Sequence, residues 1–229
     1  MQEIRILWED ETAWVVAKPA GMLVHNSAWA GPREVSVVQR MGAAAYAVHR
    51  LDRGTSGVLV LARSPEHAAA WQRALVDENT VKVYLALVRG QLRAPVHVDH
   101  PLKDEDGVLH PAISDVRPVL TSVEPRCSVV AVRLHTGRTH QVRRHLHHLS
   151  HPVIGDANYG KGPLNRDMAA RFGCTRLQLH ALRLQVTHPT SGQRLNLVAP
   201  LPAELVTSWH RIFGDALLPA VDVQCGEAW

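Results

Sequence analysis

Seven short apolar runs set the terms for this chain: Ile4–Trp8, Trp14–Lys18, Val58–Arg63, Val81–Val88, Ser128–Leu134, Leu182–Thr187 and Leu195–Val198. Each has the length of a strand rather than a helix, is rich in Val, Ile or Leu, and most are bounded by turn residues. Helix signals are fewer. Ser64-Pro65-Glu66 supplies an N-cap, a first-turn proline and an acid suited to a helix start. Ala68, Trp71 and Leu75 then recur on one face, so Glu66–Glu78 is predicted helical. Thr139–Ser150 is a second helix, with Thr139 as its cap and Val142, Leu146 and Leu149 on its apolar face; Pro202–Phe213 is a third. Strands that outnumber helices without regular alternation predict an α+β fold, with a mixed, mainly antiparallel sheet and flanking helices. The segment Arg89–Arg126, rich in Pro, Asp and His, reads as a loop-rich excursion, and the chain from Asp215 reads as a loose end.

Length and composition narrow the class. At roughly 150 residues per domain, 229 residues make one large domain or one domain in two lobes; the expected domain is 1–214, followed by the tail 215–229. No apolar run approaches the ~20 residues of a membrane span, and the opening MQEIRILWEDET has no signal-peptide core. The three cysteines are odd in number, far apart and form no CxxC pair, which suits a reduced, cytoplasmic chain. Net charge is only +4, but Pro125–Gly155 contains no acidic residue while holding Arg126, Arg133, Arg138, Arg143, Arg144 and six of the 15 histidines. Such a window suits a polyanion such as nucleic acid; a solvated helix face is the plainer alternative.

Three pieces carry chemistry. In VHRLDRGTSG (residues 48–57), Asp52 stands between Arg50 and Arg53 and leads through Gly54–Gly57 into a buried-looking strand. A loop carboxylate anchored by a strand and flanked by arginines is kept ionised, as a nucleophile or base rather than a resting acid. A structural aspartate satisfying turn amides is the alternative. The turn is neither a phosphate loop nor a serine-hydrolase elbow. In TVKVYLALVRG, Lys82 and Tyr84 lie two apart on a strand and share a face, which suggests the wall of a cleft. In LHTGRTHQVRRHLHHLSHPVIGD (residues 134–156), Arg138, Arg143 and Arg144 crowd the start of a helix, where a guanidinium can pair with Asp52 or hold a phosphate. His145, His148 and His151 pass a spacing test for zinc weakly, with no HExxH acid, no nearby Cys and several arginines against a dication.

Taken in order, HRLDRGTSG, KVY, TGRTHQVRRHL…HPVIGD and LQLHALRL…HP resemble the pseudouridine synthases of the RluA type, from about Lys18-Pro19-Ala20-Gly21 to His188-Pro189. Within that family the chain is most similar to the short, tRNA-directed members that act in the T-stem. It shows no S4-type RNA-binding segment, reads QVRRHL at the third motif, and carries NRDMAARFGCTRLQLHALRLQVTHP late in the chain. The stretch between Arg89-Gly90 and His135-Thr136-Gly137 is short for such a member.

The resemblance implies a bent, mainly antiparallel sheet with a central catalytic cleft, and isomerisation of uridine to pseudouridine in RNA without metal or cofactor. It implies Asp52 as the essential carboxylate, Tyr84 as the residue that stacks on the uracil, and Arg143 as the ion-pair partner of Asp52. Arg50 matches the arginine that fills the gap left by a flipped base. Arg138, Arg144, His140 and Lys82 are candidate RNA contacts, and Leu179 with His180 would line or support the site. The expected partner is an RNA substrate, with no membrane and a monomeric state. A ribosomal-RNA synthase, a non-catalytic RNA-binding module and a zinc hydrolase are the rivals.

Overall fold

The computed structural model describes residues 3–26, 31 and 34–226. In chain order the strands are β1 (Arg5–Glu9), β2 (Ala13–Lys18), β3 (Tyr46–Ala47), β4 (Ser56–Ala62), β5 (Val81–Arg89), β6 (Val96–Asp99), β7 (Leu102–Lys103), β8 (Leu109–His110), β9 (Ile113–Ser122), β10 (Cys127–Leu134), β11 (Leu179–Thr187) and β12 (Arg194–Val198). The helices are α1 (Val37–Met41), α2 (Pro65–Val76), α3 (Gln141–His148), α4 (Gly162–Phe172), α5 (Ala203–Phe213) and α6 (Leu217–Gly226). All seven predicted strands and all three predicted helices are present, with ends moved by up to three residues. The chain forms two compact units: one runs to Val81 and takes back Ala181–Pro200, and the other holds Lys82–His180 and the chain from Leu201.

In the first unit β2 pairs antiparallel with β1 and with β4, β3 adds to β4, and β12 pairs antiparallel with β11. β4 is buried along its whole length, as a strand covered on both faces must be. Gly57 has φ +126°, and a Cβ there would lie 2.1 Å from the Ala181 carbonyl oxygen, so only glycine fits at the start of β4. α2 begins as its sequence dictates: the Ser64 side chain accepts from the His67 N–H at 3.2 Å and Pro65 opens the helix. It lays Ala68, Trp71 and Leu75 on a core of Val15, Val58, Val60, Val186 and Leu197.

In the second unit the antiparallel order is β5-β10-β9-β6, with β7 and β8 as a separate hairpin. Ala86, Val130, Val132, Val142 and Leu146 lie at its apolar centre. Two expectations are corrected here. The segment 89–126 is not mainly loop, because it contains β6 to β9. The proline of β9, Pro118, sits beside a bulge between Val129 and Val130 of the partner strand, beyond Val116 where β6 stops pairing. A residue without an N–H is tolerated in a strand there, with one side unpaired. The chain from Asp215 is not a loose end: a short 3-10 turn, Gly214–Ala216, passes into α6, whose Leu217 and Val221 are buried. Gln224 of α6 accepts from Arg117 Nε and Nη2 at 3.1 and 2.6 Å, which ties the helix to β9. The last tail residues, 227–229, lie outside the described residues.

Candidate active site

Asp52 is half-buried at the first corner of a turn closed by the Thr55 N–H donating to the Asp52 carbonyl at 3.0 Å. The turn feeds β4 directly, so a rigid strand fixes it from one side. Lys18, at the end of β2, fixes it from the other. Its side chain is 1% exposed, and its ammonium donates to the carbonyls of Pro19 (2.8 Å), Met22 (2.7 Å) and Arg53 (3.3 Å). The Gly21 N–H donates to the Arg53 carbonyl at 2.7 Å, and Arg53 returns Nε to the Gly21 carbonyl at 3.1 Å while pairing with Glu34 at 2.9 Å. Lys-Pro-Ala-Gly and Asp-Arg-Gly-Thr therefore form one structural piece. Arg50, beside this turn, is exposed to solvent.

The other candidates belong to the second unit. Lys82 and Tyr84 share one face of β5 and are half-buried, while Val81 and Val83 on the opposite face are buried. Burial pushes the Lys82 ammonium pKa down from its usual range, and Tyr84 packs against the apolar cluster of its unit. Leu179, 2% exposed, is a member of that cluster, so it supports its surroundings rather than offering a surface.

Arg143 is 7% exposed. Its Nε and Nη2 donate to the two carboxylate oxygens of Asp156 at 2.7 and 2.8 Å, a bidentate pair. Burial raises the Asp156 pKa, and the Arg143 hydrogen bonds and the backbone N–H of Tyr159 more than offset it, so the carboxyl stays below its ordinary value. Neither Asp156 nor Tyr159 was singled out from the sequence, although both sit in the HPVIGD…YG stretch that closes the third motif.

The loop before α3 departs from expectation in one respect. Thr139 does not cap the helix; His140 takes the cap position, in the left-handed region at φ 56°, with no side-chain cap bond. The turn is organised by Gln141. Its Oε1 accepts from Thr136 Oγ1 (2.8 Å) and the Arg138 N–H (3.0 Å), and its Nε2 donates to the Ile113 carbonyl and Ser114 Oγ, both at 3.0 Å. Every hydrogen-bonding position of the amide is satisfied, so the side chain bolts the arginine-bearing loop to β9. Exposed Arg138 donates Nε to the Pro111 carbonyl at 3.0 Å, and half-buried Arg144 donates Nη1 to the Lys103 carbonyl at 2.8 Å; each retains further guanidinium donors. His140 Nδ1 lies 3.2 Å from Tyr159 Oη.

The histidines considered for zinc are engaged elsewhere. His145 is buried between Ser114 Oγ (3.0 Å) and the His100 carbonyl (3.1 Å), and burial lowers its pKa. His148 stacks on His100 with ring centroids 3.8 Å apart, and His151 donates to the Arg89 carbonyl at 2.7 Å. Among the described residues no group of three His, Cys, Asp or Glu is placed to hold a metal ion. Cys127 and Cys174 are buried, and burial raises their thiol pKa values to about 12 and about 11, which leaves them inert as nucleophiles. No helix among the described residues is long and apolar enough to cross a membrane.

A family model described as RNA pseudouridylate synthase matches residues 12–148. A protein called tRNA pseudouridine synthase C from Pectobacterium carotovorum subsp. carotovorum is 38% identical over 86% of this chain, and the chain spans 58% of that relative's length. Proteins of the same name from Yersinia pestis and Pasteurella multocida (strain Pm70) are 37% and 38% identical, again over 86% of this chain, and the match covers 86% and 90% of their own lengths. Among solved structures, Human RNA Pseudouridylate Synthase Domain Containing 4 superposes with a TM-score of 0.73 at 24% identity, covering 90% of this chain and 92% of the other. Human RNA Pseudouridylate Synthase Domain Containing 1 superposes with a TM-score of 0.70 at 24% identity, covering 86% and 83%. At that identity the superpositions speak to the fold, an α+β architecture with a mainly antiparallel sheet.

Proposed function

This chain belongs to the RNA pseudouridylate synthase family, and from that premise we propose that it isomerises one uridine of tRNA, in the T-stem, to pseudouridine with Asp52 as the essential carboxylate. The observation that carries the reading is the Asp52 turn, held between β4 and the Lys18 ammonium inside the HRLDRGTSG motif. The tRNA target is supported by the names of the relatives that align along most of the chain.

The reaction balances without donor or acceptor. The bond from uracil N1 to ribose C1′ breaks, the base turns, a bond from C5 to C1′ forms, C5 loses a proton and N1 gains one. Asp52 attacks C1′ or C6, or removes a ribose proton; each route needs an ionised carboxylate held in one rotamer. Arg143 pairs with Asp52 and sets that rotamer. Tyr84 stacks on the uracil and assists removal of the C5 proton, with Lys82 beside it on the same face of β5. Flipping the uridine out of its stack costs a few kcal/mol. Arg50 occupies the gap, and Arg138, Arg144 and His140 contact the RNA backbone. The protein acts as a monomer in the cytoplasm and needs no cofactor.

The test is tritium release from RNA carrying 5-tritiated uridine, with unmodified bulk tRNA and ribosomal RNA in parallel and EDTA present. Release equal to one site per tRNA, and none from ribosomal RNA, is the expected result. Release from ribosomal RNA alone would overturn the tRNA target and keep the chemistry. RNA binding without any release would make the chain a binding module.

A further inference from the structure

Arg143 is gripped by a loop that none of the assigned catalytic residues belongs to. Asp156 takes the Nε–Nη2 edge of the guanidinium, and the Tyr159 ring covers its face, 5.1 Å from Cζ to the ring centroid. A second acid meeting Arg143 must therefore approach through Nη1 or the outer hydrogen of Nη2.

The grip is itself fixed at every point. Asp156 Oδ1 also accepts the backbone N–H groups of Asn158 (2.9 Å) and Tyr159 (3.1 Å). Asn165 of α4 clamps the backbone on either side: its Oδ1 accepts from the Gly155 N–H and its Nδ2 donates to the Asp156 carbonyl, both at 2.9 Å. Tyr159 is tied to both ends of α3, with its hydroxyl 3.2 Å from His140 Nδ1 and its carbonyl accepting from His147 Nδ1 at 2.9 Å. The chain closes so tightly that a Cβ on Gly160 would fall 2.2 Å from the Asp156 carbonyl oxygen, and one on Gly155 would fall 2.0 Å from that of Arg176.

Stability alone does not call for such a grip, since buried ion pairs are often replaced by apolar side chains without loss. An arginine whose direction matters to the chemistry does call for it. We propose that Asp156 and Tyr159 are positioning residues, which fix the plane and direction in which the Arg143 guanidinium meets the catalytic carboxylate. The proposal rests on the reading of Asp52 and Arg143 given above.

The experiment compares single-turnover conversion of an unmodified tRNA transcript with the Kd for the same transcript. The variants are Asp156→Asn, Asp156→Glu, Tyr159→Leu and Tyr159→Phe, with Arg143→Lys as reference and circular dichroism as the check on folding. Displacement of a catalytic group by about 1 Å costs about 100-fold in rate. Asp156→Asn is accordingly expected to slow conversion about 100-fold with Kd changed less than about 3-fold, and Asp156→Glu to recover part of the loss. Tyr159→Leu is expected to slow conversion about 10-fold, and Tyr159→Phe, which keeps the ring, to recover most of it. A folded Asp156→Asn protein with the wild-type rate, or with rate and Kd worsened together, overturns the proposal. If Asp156→Asn does not fold, Tyr159→Leu decides, and a wild-type rate in that variant overturns the proposal. A wild-type rate in Arg143→Lys instead sinks the catalytic reading of Arg143, whatever the other variants do.

Discussion

At Lys18 a charge is buried for the sake of backbone carbonyls. The ammonium joins the end of β2, the Pro19–Met22 loop and the Asp52 turn. Lys18→Met keeps the length and removes all three donations. The Arg53 carbonyl still receives the Gly21 N–H, but those of Pro19 and Met22 lose their ammonium donor. The expected cost is about 3 kcal/mol of stability, read by urea denaturation, with catalytic rate falling more than RNA affinity because the turn that aims Asp52 loosens. Unchanged stability would place Lys18 outside the fold's framework. Asp52 stands out in the sequence as a candidate because its whole neighbourhood, two arginines and a glycine-rich turn before a strand, is contiguous. Asp156, Tyr159 and Gln141 do not, because what they do is decided by partners 13 to 28 residues away. No local pattern separates Asp156 from an ordinary loop aspartate.

α3 shows the same division at the level of elements. Its apolar face, Val142 and Leu146, was readable from spacing, while its start was not. A left-handed His140 and a fully bonded Gln141 take the place of an N-cap hydroxyl. β9 was hidden for another reason: Pro118 breaks the alternation that marks a strand, and β10 supplies the partner that sequence cannot. α4 opens on Gly162-Pro163, and α6 sets Pro219 and Asp222 among its apolar residues with exposed Leu218, so neither shows a clear helical stripe. Two predictions belong here. His145 is buried with Nε2 donating to the His100 carbonyl and Nδ1 3.0 Å from Ser114 Oγ, and burial lowers its pKa. The unfolded chain therefore binds the extra proton below the ordinary value of 6.5, and stability falls as pH drops from there toward the folded pKa. His145→Gln should flatten the dependence of Tm on pH below 6.5; an unchanged slope would assign that slope to other groups. On the same helix, Arg144→Ala should weaken tRNA binding and lower the slope of log K against log salt by about one, the signature of one lost phosphate contact. An unchanged slope would leave Arg144 only its bond to the Lys103 carbonyl.

Across the whole molecule, the two units divide the candidate residues. Arg50 and Asp52 belong to the first, and Lys82, Tyr84, Arg138, His140, Arg143, Arg144 and Leu179 to the second. The chain after residue 214 belongs to the second unit's framework as well. Leu217→Ala should cost about 2–4 kcal/mol, the usual range for a buried leucine, in thermal or urea unfolding, and a near-zero change would return α6 to the role of a tail. The family was legible because its motifs follow in order along the chain, whereas the division into units was not, since the first unit recruits Ala181–Pro200 from a point remote in sequence. One carboxylate stands at the centre of the proposed chemistry. The measurement that tests it most directly is pseudouridine formation in an unmodified tRNA transcript by wild-type protein and by Asp52→Asn, with the Kd of both for the same transcript. Conversion by the wild type, with none by a variant that still binds within about 3-fold, is the predicted result. Conversion by the variant at a comparable rate would contradict the central claim.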